Sequence, residues 1–164
     1  MKRTIVTLTC LLVASLMTFA STKSLHQLQQ EFVDLRFGMF IHYNIPTYAP
    51  EDWPDPDIPA SAFNPKHLDC QQWAKAAKSA HMTYGCLTTK HHSGFCIWDT
   101  KTTDYNVMNS PLGRDVVREY VDAFRQEGLE VMLYYSIWSR ISYEDVPFPE
   151  IYAYIKSLQP ECLV

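Results

Sequence analysis

The chain has 164 residues, 47% of them hydrophobic and 13% aromatic, and a formal net charge of −4. That length and apolar content suffice for one ordinary domain and exclude wholesale disorder. The acidic balance and the lack of any basic patch argue against nucleic acid or an anionic membrane surface as a partner.

At the N-terminus, Lys2 and Arg3 precede an apolar run from Ile5 to Leu16, followed by Thr18-Phe19-Ala20 with small residues where a signal peptidase reads. Residues 1–20 are therefore expected to be a cleaved signal peptide, cut near Ala20, and the product to be secreted or periplasmic. Loss of Lys2 and Arg3 makes the balance more acidic still. The apolar run is shorter than the roughly 20 residues a membrane span needs, so no membrane span is expected. Cys70, Cys86, Cys96 and Cys162 remain after cleavage, with no CxxC or Cys/His spacing of the zinc type. The apolar neighbours of Cys86 and Cys96 favour buried thiols over a disulfide framework.

Arg36 to Tyr43 is a nearly continuous apolar run that ends in polar groups, as a strand buried on both faces should. Residues 44–66 carry Pro46, Pro50, Pro54, Pro56, Pro59 and Pro65, a density that disfavours helix and ladder alike and predicts a long functional loop. Leu68, Trp73, Ala76-Ala77 and Ala80 recur at helical spacing and lead into a second apolar strand, Met82 to Thr89. A polar and aromatic connection, residues 90–112, follows. Val116-Val117, Tyr120-Val121 and Phe124 predict another helix, with Asp115 at its first turn and Gly128 at its stop. Leu129 to Ser136 is the third strand, and Pro149 to Leu158 a last helix.

Strand, loop, helix, strand, loop, helix, strand is the order of an α/β fold with a parallel sheet and crossover helices. A doubly wound sheet and a (β/α)8 TIM-barrel-like fold both obey it. The barrel is favoured because no glycine-rich phosphate loop follows the first strand and the long polar loops follow strand ends. Three strands do not close a barrel, which takes about 250 residues. The expectation is therefore the N-terminal part only, about three βα units over residues 32–164.

The residues that close each strand are polar: His42-Tyr43, then Lys90-His91-His92, then Tyr134-Tyr135-Ser136. In a parallel sheet they gather at one rim. Metal ligation and hydrogen bonding to a polyol compete as readings of three converging histidines. His91 and His92 are adjacent, so on an extended backbone they point to opposite sides, and both face the rim only if the chain turns there. Sugar recognition suits the neighbours, with Trp53, Phe95 and Trp98 as stacking rings and Asp52 and tyrosine serving hydroxyls. No metal and no cofactor is expected.

Several strings together resemble the α-L-fucosidases of glycoside hydrolase family 29. They are Arg36-Phe-Gly-Met-Phe-Ile-His42, Glu51-Asp52-Trp53, Gln72-Trp73-Ala74-Lys75, Leu87-Thr-Thr-Lys-His91-His92-Ser-Gly-Phe95-Cys-Ile-Trp98-Asp99, Tyr105-Asn-Val, Asn109-Ser-Pro, Arg114-Asp115-Val-Val and Tyr134-Tyr-Ser136. The resemblance runs from about residue 32 to 140. It implies a retaining exo-glycosidase acting on terminal fucose of a fucosylated glycan: an Asp attacks the anomeric carbon and a Glu serves as acid and base, the two carboxyls about 5–5.5 Å apart.

The resemblance further implies that His42, His91 and His92 hold fucose hydroxyls, joined by Tyr134, with Tyr135 the fallback. The acidic residue before Trp in the first long loop is Glu in several relatives, where this chain has Asp52. His42-Tyr43-Asn44 stands where relatives often read His-Trp-Gly, and His81 where Gly is usual. In the family the nucleophile ends the fourth strand and the acid/base comes later, so neither is expected before Val164. Asp99 and Asp104 belong to the substrate-side loop, and Glu144, Asp145 and Glu150 to surface. An inactive fragment or weak carbohydrate binder is the alternative expectation.

Overall fold

The computed structural model describes residues 23–50 and 58–136. The predicted signal peptide, Asp52, Trp53 and the helix expected at 149–158 lie outside the described residues. The chain divides into two compact units, residues 1–34 and 35–164.

The first unit holds most of a helix absent from the sequence expectations, α1 (Leu25–Leu35), which has no buried residue. Ser24 and Gln27 form a reciprocal cap at its start: the Gln27 amide donates to Ser24 Oγ at 3.3 Å and the Ser24 amide to Gln27 Oε1 at 2.8 Å. Two orphan amides of the first turn are satisfied in this way.

In the second unit, β1 (Gly38–Ile41), β2 (Tyr84–Lys90) and β3 (Glu130–Tyr135) form one parallel sheet in the order β1-β2-β3. Helices α2 (Cys70–Ser79) and α3 (Val116–Gln126) make the crossovers. All five of these elements were expected from the sequence, and their ends fall close to the expected ones. The proline-rich loop is less irregular than expected: it holds two short 3-10 turns, Ile45–Tyr48 and Ala60–Ala62. Pro46 sits in the first turn of one and Pro59 just precedes the other, positions where a missing amide costs nothing.

Asp69 caps α2 by accepting from the Gln72 amide, and Asp115 caps α3 by accepting from the Arg118 amide. The inward face of α3, Val116, Val117, Tyr120, Val121 and Phe124, is buried. It presses on β2 so closely that a Cβ at Gly85 would lie 2.2 Å from the Phe124 ring. Only glycine lets helix and strand meet at that spacing. Ile45, Phe63, Leu87, Phe95, Ile97, Trp98 and Val107 complete the core.

Register sets which residues share the opposite face of the sheet. Phe40 pairs with Cys86, and Cys86 with Met132. One step further, Thr88 pairs with Tyr134, and two residues beyond Phe40 stands His42. Strand alternation therefore stacks an apolar row beneath a polar one. Phe40 remains 56% exposed on this face. Cys70, Cys86 and Cys96 carry thiols, none joined in a disulfide.

Candidate active-site rim

Between Thr88 and Lys90 the β2–β3 register slips by one residue, so that Lys90 pairs with Tyr135. Thr89 is the extra residue of a β-bulge. Its hydroxyl donates to the Tyr134 carbonyl at 2.8 Å, while its own carbonyl accepts from the Ile97 amide at 3.1 Å and from Asn44 Nδ2 at 3.3 Å. The slip inverts the alternation. Lys90 falls in phase with Tyr135, and His91 takes the phase of Thr88 and His42.

A turn follows at once, closed by the Gly94 amide donating to the His91 carbonyl at 3.0 Å, with Gly94 at φ 90°. His92 is thereby folded back beside His91. The adjacent histidines that an extended strand would have separated lie 4.7 Å apart, centroid to centroid. His91 meets His42 edge to face at 5.1 Å, and His42 lies 6.2 Å from the Tyr134 ring. His42, His91, His92 and Tyr134 are thus brought to one strand-end rim.

Each outer histidine is held by a hydroxyl at Nδ1. Thr88 Oγ1 lies 3.1 Å from His42 Nδ1, and Ser136 Oγ hydrogen-bonds His92 Nδ1. His91 is 6% exposed. Burial first, and then the neighbouring His92, His42 and Lys90 as cations, push its pKa down to about 4. At neutral pH it is an uncharged imidazole with one donor and one acceptor.

Asn44 anchors the loop after β1: its Nδ2 donates to the Thr88 and Thr89 carbonyls at 3.4 and 3.3 Å, and its Oδ1 accepts from the Ile45 amide at 2.8 Å. This supplies a structural use for the asparagine that departs from the family's His-Trp-Gly pattern. Tyr43, in the tryptophan position, turns away from the rim into a cluster with Tyr48, Phe63 and Trp73.

Trp98 and Phe95 are not stacking platforms in this structure. Trp98 is 1% exposed and lies 6.3 Å from Tyr135, and Phe95 is enclosed by Phe63 and Tyr105. The reason is the 90–112 connection, which folds back on the end of β2 through bridges from Cys96 to Lys90 and to Asn106. Its apolar residues are drawn inward. The exposed ring at the rim is Phe40, 5.5 Å from His42 and 5.6 Å from Tyr134, both edge to face. Sequence reasoning missed it, although its position two residues before His42 in a strand was the available signal. Tyr134 rather than its fallback Tyr135 belongs to the rim, since Tyr135 packs against the core. Among the described residues, no group of three or more His, Cys, Asp or Glu side chains is arranged to hold a metal ion.

The sequence profile of the α-L-fucosidase family matches residues 48–159. α-L-Fucosidase 1 of Arabidopsis thaliana is 38% identical over 106 residues, 63% of this chain and 21% of that protein. Among solved structures, α-L-fucosidase isoenzyme 1 from Paenibacillus thiaminolyticus is 46% identical with a TM-score of 0.62, over 70% of this chain and 30% of that one. A family 29 α-L-fucosidase from Bacteroides thetaiotaomicron is 30% identical with a TM-score of 0.63, over 85% and 38% of the two chains. This chain spans from 21% to 39% of the length of its curated relatives. No described helix is long and apolar enough to cross a membrane. The chain belongs to the α-L-fucosidase family.

Proposed function

We propose that the rim formed by His42, His91, His92 and Tyr134 holds a terminal α-L-fucose for a retaining exo-acting fucosidase, with Asp52 and Trp53 completing the site from the first long loop. The nucleophile Asp and acid/base Glu are supplied by segments later than β3. The three-stranded sheet is then the opening of a (β/α)8 barrel, and its apolar row at Phe40, Cys86 and Met132 is barrel interior. The relative from Bacteroides thetaiotaomicron, captured as a covalent intermediate with a fluorinated fucosyl fluoride, supports the retaining chemistry.

The observation that carries the reading is the convergence of three imidazoles and a phenol at one strand end, with His91 uncharged. A neutral imidazole can donate to one sugar hydroxyl and accept from another, whereas an imidazolium only donates. Phe40 offers an apolar ring to the sugar's methyl-bearing edge. Residues 1–20 act as a signal peptide, so the substrate is a fucosylated glycan outside the cytoplasm.

The test is titration of the chain with L-fucose by ligand and protein NMR. Saturable shifts at the rings of His42, His91, His92 and Tyr134, unaffected by chelator, are expected. Absence of saturable shifts, or shifts of equal size with D-glucose, would overturn the reading. Metal dependence of the shifts would favour a metal-dependent hydrolase.

A further inference from the structure

Lys90 lies in the middle of the histidine string, yet its ammonium does not face the rim. It is 3% exposed, donates to the Ser136 carbonyl at 2.9 Å and stands 4.9 Å over the Tyr135 ring. Burial lowers its pKa. Among the described residues no carboxylate pairs with it. Burying a cation is costly unless it is hydrogen-bonded, and packing alone would be served better by Met or Leu. Its surroundings must therefore use what a cation donates.

What they use is a tether across the end of the sheet. The Ser136 amide donates to the Lys90 carbonyl at 3.0 Å, and the Lys90 ammonium donates back to the Ser136 carbonyl. Ser136, the first residue past β3, is thus held at both ends of its backbone by one residue of β2. The Ser136 hydroxyl then bonds His92 Nδ1. His92 itself sits in the turn beyond Lys90, off the ladder, so this contact ties a loop ring to the sheet.

We infer that Lys90 and Ser136 are positioning residues for His92: Lys90 fixes the Ser136 backbone at the end of β3, and the Ser136 hydroxyl fixes the His92 ring beside His91 at the rim. The inference rests on the reading of that rim as a fucose site. His42 has its own hydroxyl, from Thr88, and does not depend on the tether.

The experiment records long-range 15N spectra of the histidine rings in the chain as it stands and in Ser136→Ala, Ser136→Thr and Lys90→Met. Ser136→Ala removes a single oxygen and keeps the test alive if Lys90→Met fails to fold. In the wild-type chain the two ring nitrogens of His92 should give separate, fixed signals set by the Ser136 hydrogen bond. In Ser136→Ala the His92 signals should move toward the mixed pattern of free imidazole while those of His42 stay in place, and Ser136→Thr should restore them. L-Fucose affinity should fall roughly three- to tenfold in Ser136→Ala and Lys90→Met, the range for one lost hydrogen bond. His92 signals unchanged in Ser136→Ala, or shifted equally with those of His42, would overturn the inference. If the wild-type chain binds no fucose, the fucose reading fails by itself, and the ring spectra still decide the positioning roles.

Discussion

His81 and Gly128 occupy the same position in two copies of one helix-ending geometry. Beyond α2, the His81 amide donates to the Lys78 carbonyl at 3.0 Å and the Met82 amide to Ala77 at 3.0 Å. Beyond α3, the Gly128 amide donates to Arg125 at 3.0 Å and the Leu129 amide to Phe124 at 2.9 Å. Both are Schellman motifs, with the pivotal residue left-handed at φ 61° for His81 and 68° for Gly128. One chain thus provides its own matched pair, differing in the Cβ that the left-handed region disfavours.

Exchange at the two positions should have opposite signs. His81→Gly is expected to stabilise the chain by about 1 kcal/mol, and Gly128→Ala to destabilise it by about the same. Nothing lies within 4 Å of a Cβ at Gly128, so the second change reports backbone strain and not a clash. Urea unfolding of both variants checks the pair.

Gly85 is glycine for a different reason, the approach of α3. Gly85→Ala would set a methyl against Phe124 and, at 2.8 Å, the Tyr120 hydroxyl. A loss of about 1–3 kcal/mol is expected, as for other overpacked cores. Adding Phe124→Leu should recover part of it, which thermal melts of the single and double variants would show.

The depressed pKa of His91 has a pH signature. Folded, the ring takes up its proton at about pH 4, against about 6.5 in an unfolded chain. Between those values unfolding takes up a proton, so stability falls as pH drops from about 6.5 to about 4 and levels off below. The loss is on the order of 3 kcal/mol, and His91→Gln should flatten that part of the profile. Denaturant midpoints measured from pH 7 to 4 decide it.

Asn44 joins two strand ends with one side chain. Asn44→Ala leaves the Thr88 carbonyl and the Ile45 amide without that partner, and a loss of about 1–3 kcal/mol is expected. Hydrogen exchange should quicken at Ile45 and Ile97, which both flank the Thr89 carbonyl or the Asn44 cap.

The three strands, both crossover helices and the histidine rim were legible in the sequence because hydrophobic period and strand-end polarity are local signals. The cap Ser24-x-x-Gln27 and the helical spacing of Leu25, Leu28, Phe32 and Leu35 are equally local signals, overshadowed by the stronger pattern of the expected signal peptide beside them. The inward turn of Phe95 and Trp98 was not legible. It depends on Cys96 bridging to Lys90 on one side and Asn106 on the other, contacts that pattern and propensity do not encode. The tether from Lys90 to Ser136 was hidden likewise, since it joins residues 46 apart in sequence.

The single extra residue at Thr89 acts as a reading frame for chemistry along the strand. Were Thr89 to pair with Tyr135 in a regular ladder instead, alternation would run on from Thr88 and exchange the places of ammonium and imidazole: Lys90 would fall in the phase of His42, and His91 in the opposite one. The recognition string would be intact letter for letter, while the surface it displays changed from a hydrogen-bonding ring to a cation. Register, as much as composition, is what this stretch must keep to preserve its meaning.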